Sequence, residues 1–527
     1  MRSIVAGDHS SAVHEGSGPP GAVDGRADGA QAPAPSGLRL PGSATCSMFV
    51  RISLRRRRRR FEMLRAISRP MVTLVERYMP GSLVFAAILT FVVGGLALVL
   101  TDSGPVDVVR AWGDGLSGLL AFMTQIALVL LFGYTLAHTP PVHRFLVRVA
   151  AVPKSPKAAY AFVTVIAGIA SLISWGLGLI VGGILAIEVG RSARRRGMKV
   201  HYPLLVASAY SGFVIWHMGY SGSGPLAAAT EGSFFAEEFG VVPVTETTFS
   251  SWNMIATVLT LTAVAGAMVL LAPGRDDRVV ELPAHAMEAD DEEGESTDPA
   301  AGGAAVPAGV DETAPAPTTF ADRVDGARAL TLAIGIALVV YLVVYFAQEG
   351  FNLTLDIVNW TFLAAILLIV RSPRELATLV VDAGRTVGEV LIQYPLYAGI
   401  LGMTTATGLA AVVSEFFANV ATPQTLGLFA FLAAGLLNMF VPSGGGQFAV
   451  QAPIFMGSAE TLGVDAAPII MAISYGDQWT NMIQPFWTLP LLAVARLGVR
   501  DILGYTIITL FVSGIIFAGT LLVVGAG

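Results

Sequence analysis

Cysteine and charged residues are both scarce in this sequence. Cys46 is the single cysteine, which excludes a disulfide framework and a cysteine-based metal site. Charged residues make up 13% of the chain, whereas soluble proteins usually carry about 25%. This deficit excludes a nucleic-acid-binding protein, a disordered protein and a typical cytosolic enzyme. The Gly-x4-Gly-Lys-Ser/Thr loop that binds nucleotides is also missing, which argues against a pump driven by ATP.

Hydrophobic residues take the place of charge, at 54% of the chain with a mean hydropathy of +0.67. This composition is typical of a chain that lies mostly in lipid. A helix needs about 20 apolar residues to cross the hydrocarbon core of a bilayer. The apolar blocks that reach this length are predicted to be full spans: 82–100, 116–137, 252–272, 329–347, 353–370, 387–408 and 502–525.

The other apolar regions are interrupted by Gly, Pro, Ser or Asn. Irregular backbone at membrane depth is tolerated only where it is buried in protein or lines a wet cavity. We therefore predict two hairpins, 158–173 with 175–190 and 424–441 with 445–459, and two broken crossings, 202–229 and 466–495.

Two polar segments divide the chain into four parts. Residues 1–60 are rich in Gly, Pro and Ala, end in six arginines, and are predicted to be a disordered tail. Residues 273–327 hold fourteen acidic residues and cannot bury enough apolar surface to fold alone. They are predicted to be an acidic cytoplasmic linker between a first membrane repeat, 61–272, and a second membrane repeat, 328–527.

The basic residues predict the topology, because Lys and Arg concentrate in cytoplasmic loops. We place the N-terminus in the cytoplasm. Each hairpin is assumed to enter and leave the membrane on the same side, and each broken helix is counted as one membrane crossing. The predicted outer loops then hold one basic residue, Arg110, out of 32 in the chain. This arrangement predicts a multi-pass protein of the cytoplasmic (inner) membrane with its C-terminus outside.

The two halves share the same order of breaks. ASAYSG at 207–212 recurs as AISYGD at 472–477, and a Ser/Gly-rich break precedes each of them, SWGLG at 174–178 and PSGGGQ at 442–447. Under the predicted topology the halves have opposite orientations, a pattern typical of secondary transporters, whose site lies where the breaks meet. The predicted fold is an all-α polytopic membrane protein with two inverted-topology repeats, each with a re-entrant hairpin and a broken transmembrane helix.

Long motifs of unusual composition surround the breaks of the second half. They are VPSGGGQ at 441–447, YGDQWTNMIQPFW at 475–487 and LGVRDILGY at 497–505. These motifs resemble the short-chain fatty acid transporter family, and the resemblance extends over roughly residues 63–525. It implies an inner-membrane carrier of short monocarboxylates such as acetoacetate or butyrate, within a superfamily of anion carriers that have inverted repeats.

A short carboxylate needs hydrogen-bond donors for its head and apolar walls for its tail. Hydroxyl groups, amides and the N–H groups of half-helix N-termini could supply the donors, and aromatic side chains could supply the walls. The predicted substrate-binding residues are Ser174, Trp175, Gly176, Gly178, Ser443, Gly444, Gly445, Gly446, Gln447, Trp479, Asn481 and Gln484, with Phe486 and Trp487 as further wall candidates.

Asp477 is the candidate site for a coupling ion, which is either H+ or Na+. It interrupts an apolar broken helix, with no Lys or Arg between Arg385 and Arg496. An ionisable group inside a membrane is costly and marks a functional site by default. His217 stands where a small residue is commoner in the family that this chain resembles, and it is predicted to be a packing residue. No cofactor, catalytic residue or bound metal is predicted.

Two other functions remain open at this point. A carrier of the same architecture for a dicarboxylate would lack a basic partner for the second carboxylate. An intramembrane serine protease matches GYSG at 219–222, but its serine needs a histidine base and the second half would have no role. The expected partners are a small carboxylate and the lipid bilayer, with a homodimer as the assembly considered and no nucleic acid.

Overall fold

The described part of the chain is entirely helical in its regular elements, which confirms the predicted all-α polytopic fold. The predicted tail and most of the predicted linker lie outside that part. The computed structural model describes residues 82–274, 279–282, 319–385, 387–439 and 441–525.

The described part of the first half begins with a long apolar helix and ends with another, and the interrupted helices lie between them. A short 3-10 turn, Phe213–Met218, follows α7 directly. The helices are α1 (Ser82–Leu100), α2 (Pro105–Gly115), α3 (Leu120–Ala137), α4 (Pro140–Val149), α5 (Pro156–Ile173), α6 (Trp175–Arg195), α7 (Tyr202–Gly212), α8 (Ser223–Ala229), α9 (Phe234–Phe239) and α10 (Ser251–Leu270).

The second half follows the same plan, and a short helix, α11, precedes it in the last part of the predicted linker. Its helices are α11 (Phe320–Asp325), α12 (Arg328–Glu349), α13 (Leu355–Ile369), α14 (Pro373–Gly384), α15 (Gly388–Ala406), α16 (Leu409–Val420), α17 (Pro423–Asn438), α18 (Gly444–Leu462), α19 (Ala466–Thr480), α20 (Pro485–Ala495) and α21 (Val499–Val524).

Six helices in the described residues are long and apolar enough to cross a membrane: α3, α5, α6, α10, α12 and α21. A seventh candidate is the pair α15 and α16, which is bent by 73°. These helices differ in their surroundings. In the most apolar 18-residue stretch of α6, 89% of the residues are buried in the protein, whereas 17% are buried in that of α12. α6 therefore lies inside the molecule, whereas α12 presents most of its surface outward.

The predicted breaks are confirmed in both halves. Ser174 separates α5 from α6, and residues 439–443 separate α17 from α18. The second crossing of each half is interrupted as well, between α7 and α8 and between α19 and α20. Each half therefore contains a helical hairpin followed by a broken helix.

Four of the segments predicted to connect the spans contain short helices that the apolar pattern does not reveal. α2, α4, α14 and α16 occupy the stretches predicted as loops 101–115, 138–157, 371–386 and 409–423. Three of these helices start with proline at the first helical position, where its missing N–H costs nothing. They have 10 to 12 residues each, too few to cross a bilayer. Looking for apolar runs of membrane-spanning length therefore does not detect them.

α17 and α19 approach each other closely because glycine stands at their contact. A Cβ atom added at Gly476 would overlap the carbonyl oxygen of Phe431, and one at Gly435 would lie 2.7 Å from the Trp479 ring. Small residues allow backbones in membrane proteins to come together in this way. The second hairpin and the second broken helix are thereby joined into one packed unit.

Replacing Gly476 by alanine should destabilise this unit, because overpacking a tight contact costs about 1–3 kcal/mol. We expect a lower midpoint of thermal unfolding for the purified protein in detergent. Gly519→Ala is the matched control, since a Cβ atom at Gly519 on α21 would meet nothing within 4 Å. Equal midpoints for the two variants would show that the contact tolerates a methyl group.

The described start of the linker attaches to the first half. The N–H of Tyr202 donates to the carbonyl of Val280 (2.7 Å), and the N–H of Val280 donates to His201 Nδ1 (3.0 Å). Arg194, near the end of α6, donates to the carbonyl of Leu282. Residues 279–282 are therefore fastened to the connection between α6 and α7.

Candidate functional site

A cavity of about 260 Å³ lies where the hairpin tips meet the two broken helices. This volume is near the lower end of the ~300–1,000 Å³ that is usual for small-ligand sites. Its lining residues are all uncharged. They come from the tips (Trp175, Pro442, Ser443, Gly444, Gly445), from the broken helices (Trp216, Ser223, Trp487, Leu489, Pro490), and from α3, α6 and α15 (Ile126, Leu130, Leu179, Val390, Gln393, Tyr394).

A serine in extended conformation precedes the second helix of each hairpin. Ser174 has φ −154° and ψ 134°, and Ser443 has φ −149° and ψ 103°. Ser443 Oγ accepts a hydrogen bond from the N–H of Gly446 (3.2 Å), as an N-cap residue does. Ser174 Oγ is buried without a hydrogen-bond partner among the described residues. The tips therefore have similar backbone geometry, but only the second has a serine hydroxyl that caps its helix.

The glycines after Ser443 allow the second tip to press against its neighbours. A Cβ atom at Gly444 would lie 2.6 Å from the Trp216 ring, and one at Gly445 would lie 2.5 Å from the Tyr394 hydroxyl oxygen. At Gly446 it would overlap the Tyr397 ring. Any larger residue would push the tip away from these rings. This close packing explains why three glycines follow Ser443.

Aromatic rings form much of the cavity wall. The Trp175 and Trp487 rings meet edge to face with centroids 5.3 Å apart, and the centroids of Trp175 and Trp216 are 6.3 Å apart. Trp216 is almost fully buried, and its indole Nε1 has no hydrogen-bond partner among the described residues. Such a donor beside a cavity is a candidate partner for an anionic ligand, because buried polar groups are normally paired.

A buried polar network lies directly behind the cavity wall, around the second break. The side-chain amide of Asn438 donates to the carbonyl of Asp477 (2.7 Å) and to Asn481 Oδ1 (2.6 Å). Tyr210 of α7 donates to the carbonyl of Asn481 (2.6 Å), and Gln484 donates to the carbonyl of Asn438 (3.3 Å). Three of these bonds are accepted by main-chain carbonyls at helix ends, those of Asp477 and Asn481 at the end of α19 and that of Asn438 at the end of α17.

Asp477 is paired with His217 across the two halves. His217 Nδ1 lies 3.0 Å from Asp477 Oδ2, and both side chains are only 1% exposed. The main-chain N–H of His217 donates to Gln478 Oε1 (2.9 Å). His217, expected to be a hydrogen-bonded packing residue rather than a proton relay, has the coupling-ion candidate as its hydrogen-bond partner.

The structure separates the predicted substrate-binding residues into two groups. Trp175, Ser443, Gly444 and Gly445 line the cavity. The others lie around it without lining it, and the N–H groups of Gly178 and Gly446 are already bonded to Ser174 O and Ser443 Oγ. This second group comprises Ser174, Gly176, Gly178, Gly446, Gln447, Trp479, Asn481 and Gln484; the side chain of Phe486 lies outside the described part.

Two of the residues outside the lining have clear structural partners. Trp479 Nε1 donates to the carbonyl of Leu510 on α21 (2.7 Å), and Gln447 donates to the carbonyl of Ala434 (2.8 Å). Sequence reasoning missed the lining residues Trp216 and Tyr394. Polar or aromatic residues inside an apolar block, such as Tyr394 in α15, were the available signal. Because α15 is far from the breaks in sequence, this signal did not point to the site.

Comparison with known proteins gives consistent matches over the membrane part of the chain. The family model described as Short chain fatty acid transporter matches residues 63–524. A proposed short-chain fatty acid transporter of Escherichia coli is 40% identical over 455 residues, covering 86% of this chain and 98% of that protein. A second one, from Haemophilus influenzae, is 38% identical over 462 residues, with the same coverage of 86% and 98%.

Solved transporter structures have a similar fold at low sequence identity. The YdaH transporter of Alcanivorax borkumensis aligns with a TM-score of 0.52 and 15% identity, covering 84% of this chain and 98% of that one. MtrF of Neisseria gonorrhoeae, an antimetabolite efflux pump, aligns with a TM-score of 0.52 and 14% identity, covering 87% and 97%. With the family match, these results show a multi-pass membrane transporter, and the chain belongs to the short-chain fatty acid transporter family.

Proposed function

We propose that the protein is a secondary active transporter that moves short-chain monocarboxylates, such as acetoacetate or butyrate, across the cytoplasmic (inner) membrane. The observation that carries this proposal is one uncharged cavity bounded by both hairpin tips and both broken helices. Sites of this kind, at the interface of two repeats, are typical of secondary transporters. Transport is coupled to H+ or Na+ through Asp477.

The lining matches both ends of such a substrate. Trp216 Nε1 and the first-turn N–H groups of Gly444 and Gly445 offer donors for a carboxylate, because first-turn N–H groups have no partner inside the helix. The rings of Trp175 and Trp487 offer apolar contact to a short tail. Ser174 can add a hydroxyl donor if the first tip turns toward the ligand, while Asn481 and Gln484 hold the second break in shape.

The uncharged lining also favours a monoanion over a dicarboxylate. Residues 200–274 and 386–495, which supply both broken helices and the second hairpin, contain no Lys or Arg. A second carboxylate would be removed from water without a counter-charge, which is expensive.

The proposed topology gives the transporter two gates. The N-terminus and the linker lie in the cytoplasm, the C-terminus lies outside, and each hairpin is re-entrant from its own side of the membrane. Because the two tips meet at one cavity, a small movement of either tip opens a path to one side. If the two tips move at different times, the cavity opens to one side of the membrane and then to the other, which is alternating access.

Uptake into liposomes tests this function directly. We expect labelled acetoacetate or butyrate to accumulate in proteoliposomes under an inward gradient of H+ or of Na+, and we expect Asp477→Asn to abolish the accumulation. Protein-free liposomes measure the passage of the neutral acid through lipid. Accumulation that is equal with and without protein, under both gradients, would contradict the proposed function.

A protease mechanism is disfavoured by the contacts of Ser221. Its Oγ accepts a hydrogen bond from the N–H of Trp175 (3.2 Å), and the ring nitrogens of His217 bond to Asp477 and to the N–H of Gly224. Hence His217 is not placed to accept a proton from Ser221. We expect Ser221→Ala to retain substantial uptake of the labelled carboxylate; a variant that loses uptake while keeping its melting temperature would reopen this question.

A further inference from the structure

His217 and Asp477 form a buried pair that joins the two repeats. His217 lies in the 3-10 turn of the first broken helix, and Asp477 lies in α19 of the second. Their contact of 3.0 Å spans 260 positions of sequence. This pair therefore connects the proposed ion site to both repeats.

The hydrogen bonds define the protonation state of the pair. His217 Nε2 lies 3.0 Å from the main-chain nitrogen of Gly224, which can only donate, so Nε2 is the acceptor. The ring proton is therefore on Nδ1 and is donated to Asp477 Oδ2. This tautomer belongs to a neutral imidazole that donates to Asp477, and Asp477 Oδ1 has no partner among the described residues.

Few other titratable groups face the pair. Among the described residues, Tyr394 of α15 interacts electrostatically with Asp477, whereas the hydroxyls of the nearby Tyr210 and Tyr475 bond to Asn481 and Asn253. The neighbouring helices α8, α10 and α17 contain no charged residue, and α5, α6, α18 and α21 have theirs toward the ends remote from the breaks. The negative charge of the pair therefore has no basic neighbour on these elements.

The pair also touches the cavity wall. The His217 ring stacks on Trp216, with centroids 4.1 Å apart and planes at 13°. A Cβ atom at Gly444 would lie 3.0 Å from His217 Cε1. Gly224, which donates to His217, directly follows the lining residue Ser223. A change of charge on the His217 ring therefore acts on a ligand in the cavity across a single layer of lining residues.

On the basis of the proposed carboxylate transport, we propose that His217 takes up the symported proton at Nε2 and that the anion binds only to the protonated pair. Without the proton, the pair carries a net negative charge behind an uncharged wall and repels a carboxylate, and such repulsion is strong in a medium of low dielectric. With the proton, imidazolium and carboxylate neutralise each other. The anion then enters a site with no net charge behind it.

The imidazole Nε2 holds a lone pair that can accept a proton. A proton on Nε2 also turns an acceptor into a donor, so the N–H of Gly224 loses its partner. The turn 222–224 must then rearrange, and Ser223 moves with it. Protonation therefore alters the charge and the shape of the site together, which gives a coupling free energy between proton and substrate.

Butyrate binding measured against pH tests the proposal. The protein is placed in lipid nanodiscs, and binding is followed by quenching of tryptophan fluorescence between about pH 6 and pH 8. For the wild type we expect Kd to rise with pH, approaching about tenfold per pH unit as one proton is bound with each anion. A pH-indicator dye in weak buffer should record the same proton uptake on addition of butyrate.

Three variants separate a proton-binding role from a packing role. Asp477→Asn removes both the charge that repels the anion and the counter-charge that a buried imidazolium needs, so it should bind butyrate with a Kd that no longer depends on pH. His217→Asn keeps an N–H donor but cannot take up a proton, so it should bind at least about tenfold more weakly at low pH and show no pH dependence. The double variant should recover the binding of Asp477→Asn, which a merely misfolded site would not do.

Ser211→Ala is the control, because Ser211 is buried in the same broken helix and bonds to Thr509 (2.7 Å) away from the pair. We expect it to keep the wild-type pH profile. A wild-type Kd that is independent of pH, a Kd set by Na+ at constant pH, or a His217→Asn variant with the wild-type profile would each overturn this inference and leave the proposed transport intact. Failure of the wild type to bind butyrate at any pH would overturn the proposed function itself.

Discussion

Gly445→Val is expected to reduce carboxylate uptake by a factor of about 10 to 100, which corresponds to the ~1–3 kcal/mol cost of overpacking. A Cβ atom at Gly445 already lies 2.5 Å from the Tyr394 hydroxyl oxygen and 2.9 Å from the Phe122 ring. Valine adds two methyl groups beyond that atom. The second tip must then withdraw from α3 and α15, and the cavity loses one of its walls. Initial rates of labelled butyrate uptake into proteoliposomes measure the effect.

Two further variants make this prediction specific. Gly95→Val on α1 is the control, because a Cβ atom there would meet nothing within 4 Å. Gly445→Ala with Tyr394→Phe should transport better than Gly445→Ala alone, since the nearest clashing atom is the hydroxyl oxygen of Tyr394. Wild-type uptake by Gly445→Val would show that the tip does not need its close approach.

Trp216→Phe is expected to raise the half-saturation concentration for butyrate by about 10- to 100-fold. The indole Nε1 is buried beside the cavity without a partner in the part of the chain that the structure describes, and a hydrogen bond to a charged group is worth about 1.5–3 kcal/mol. Phenylalanine preserves a ring to stack on His217 but removes the donor. Half-saturation from the concentration dependence of initial uptake rates reports the loss.

The maximal rate separates this role from a structural one. If Trp216 binds the carboxylate, half-saturation rises more than the maximal rate falls. Trp252→Phe removes an indole donor from α10, outside the cavity lining, and should leave half-saturation unchanged. An unchanged half-saturation in Trp216→Phe would remove this donor from the binding site.

Much of the fold could be predicted from sequence, because the relevant signals are local. Span length depends on bilayer thickness, and Ser, Gly and Pro interrupt helices where they occur. The break at Ser174 and the break before Gly444 were therefore predicted to within a few residues. The short helices α2, α4, α14 and α16 were missed, because their charged and apolar residues give no run long enough to identify as a span.

The site was predicted only in part, because its walls come from distant segments. Ser443, Gly444 and Gly445 belong to a break that the sequence reveals, whereas Tyr394 comes from α15, a helix that looks like an ordinary span. The pairing of His217 with Asp477 joins residues 260 positions apart. Only the packed arrangement of both halves brings such groups together, so no local sequence pattern connects them.

The attachment of residues 279–282 to α6 and α7 has a practical consequence. These residues follow the first hairpin in any displacement, because they are bonded to His201, Tyr202 and Arg194. A fluorescent or paramagnetic label placed beside Leu282 would therefore act as a reporter of hairpin position. Such a label would lie in water on the proposed cytoplasmic face, far from the chemistry that it monitors.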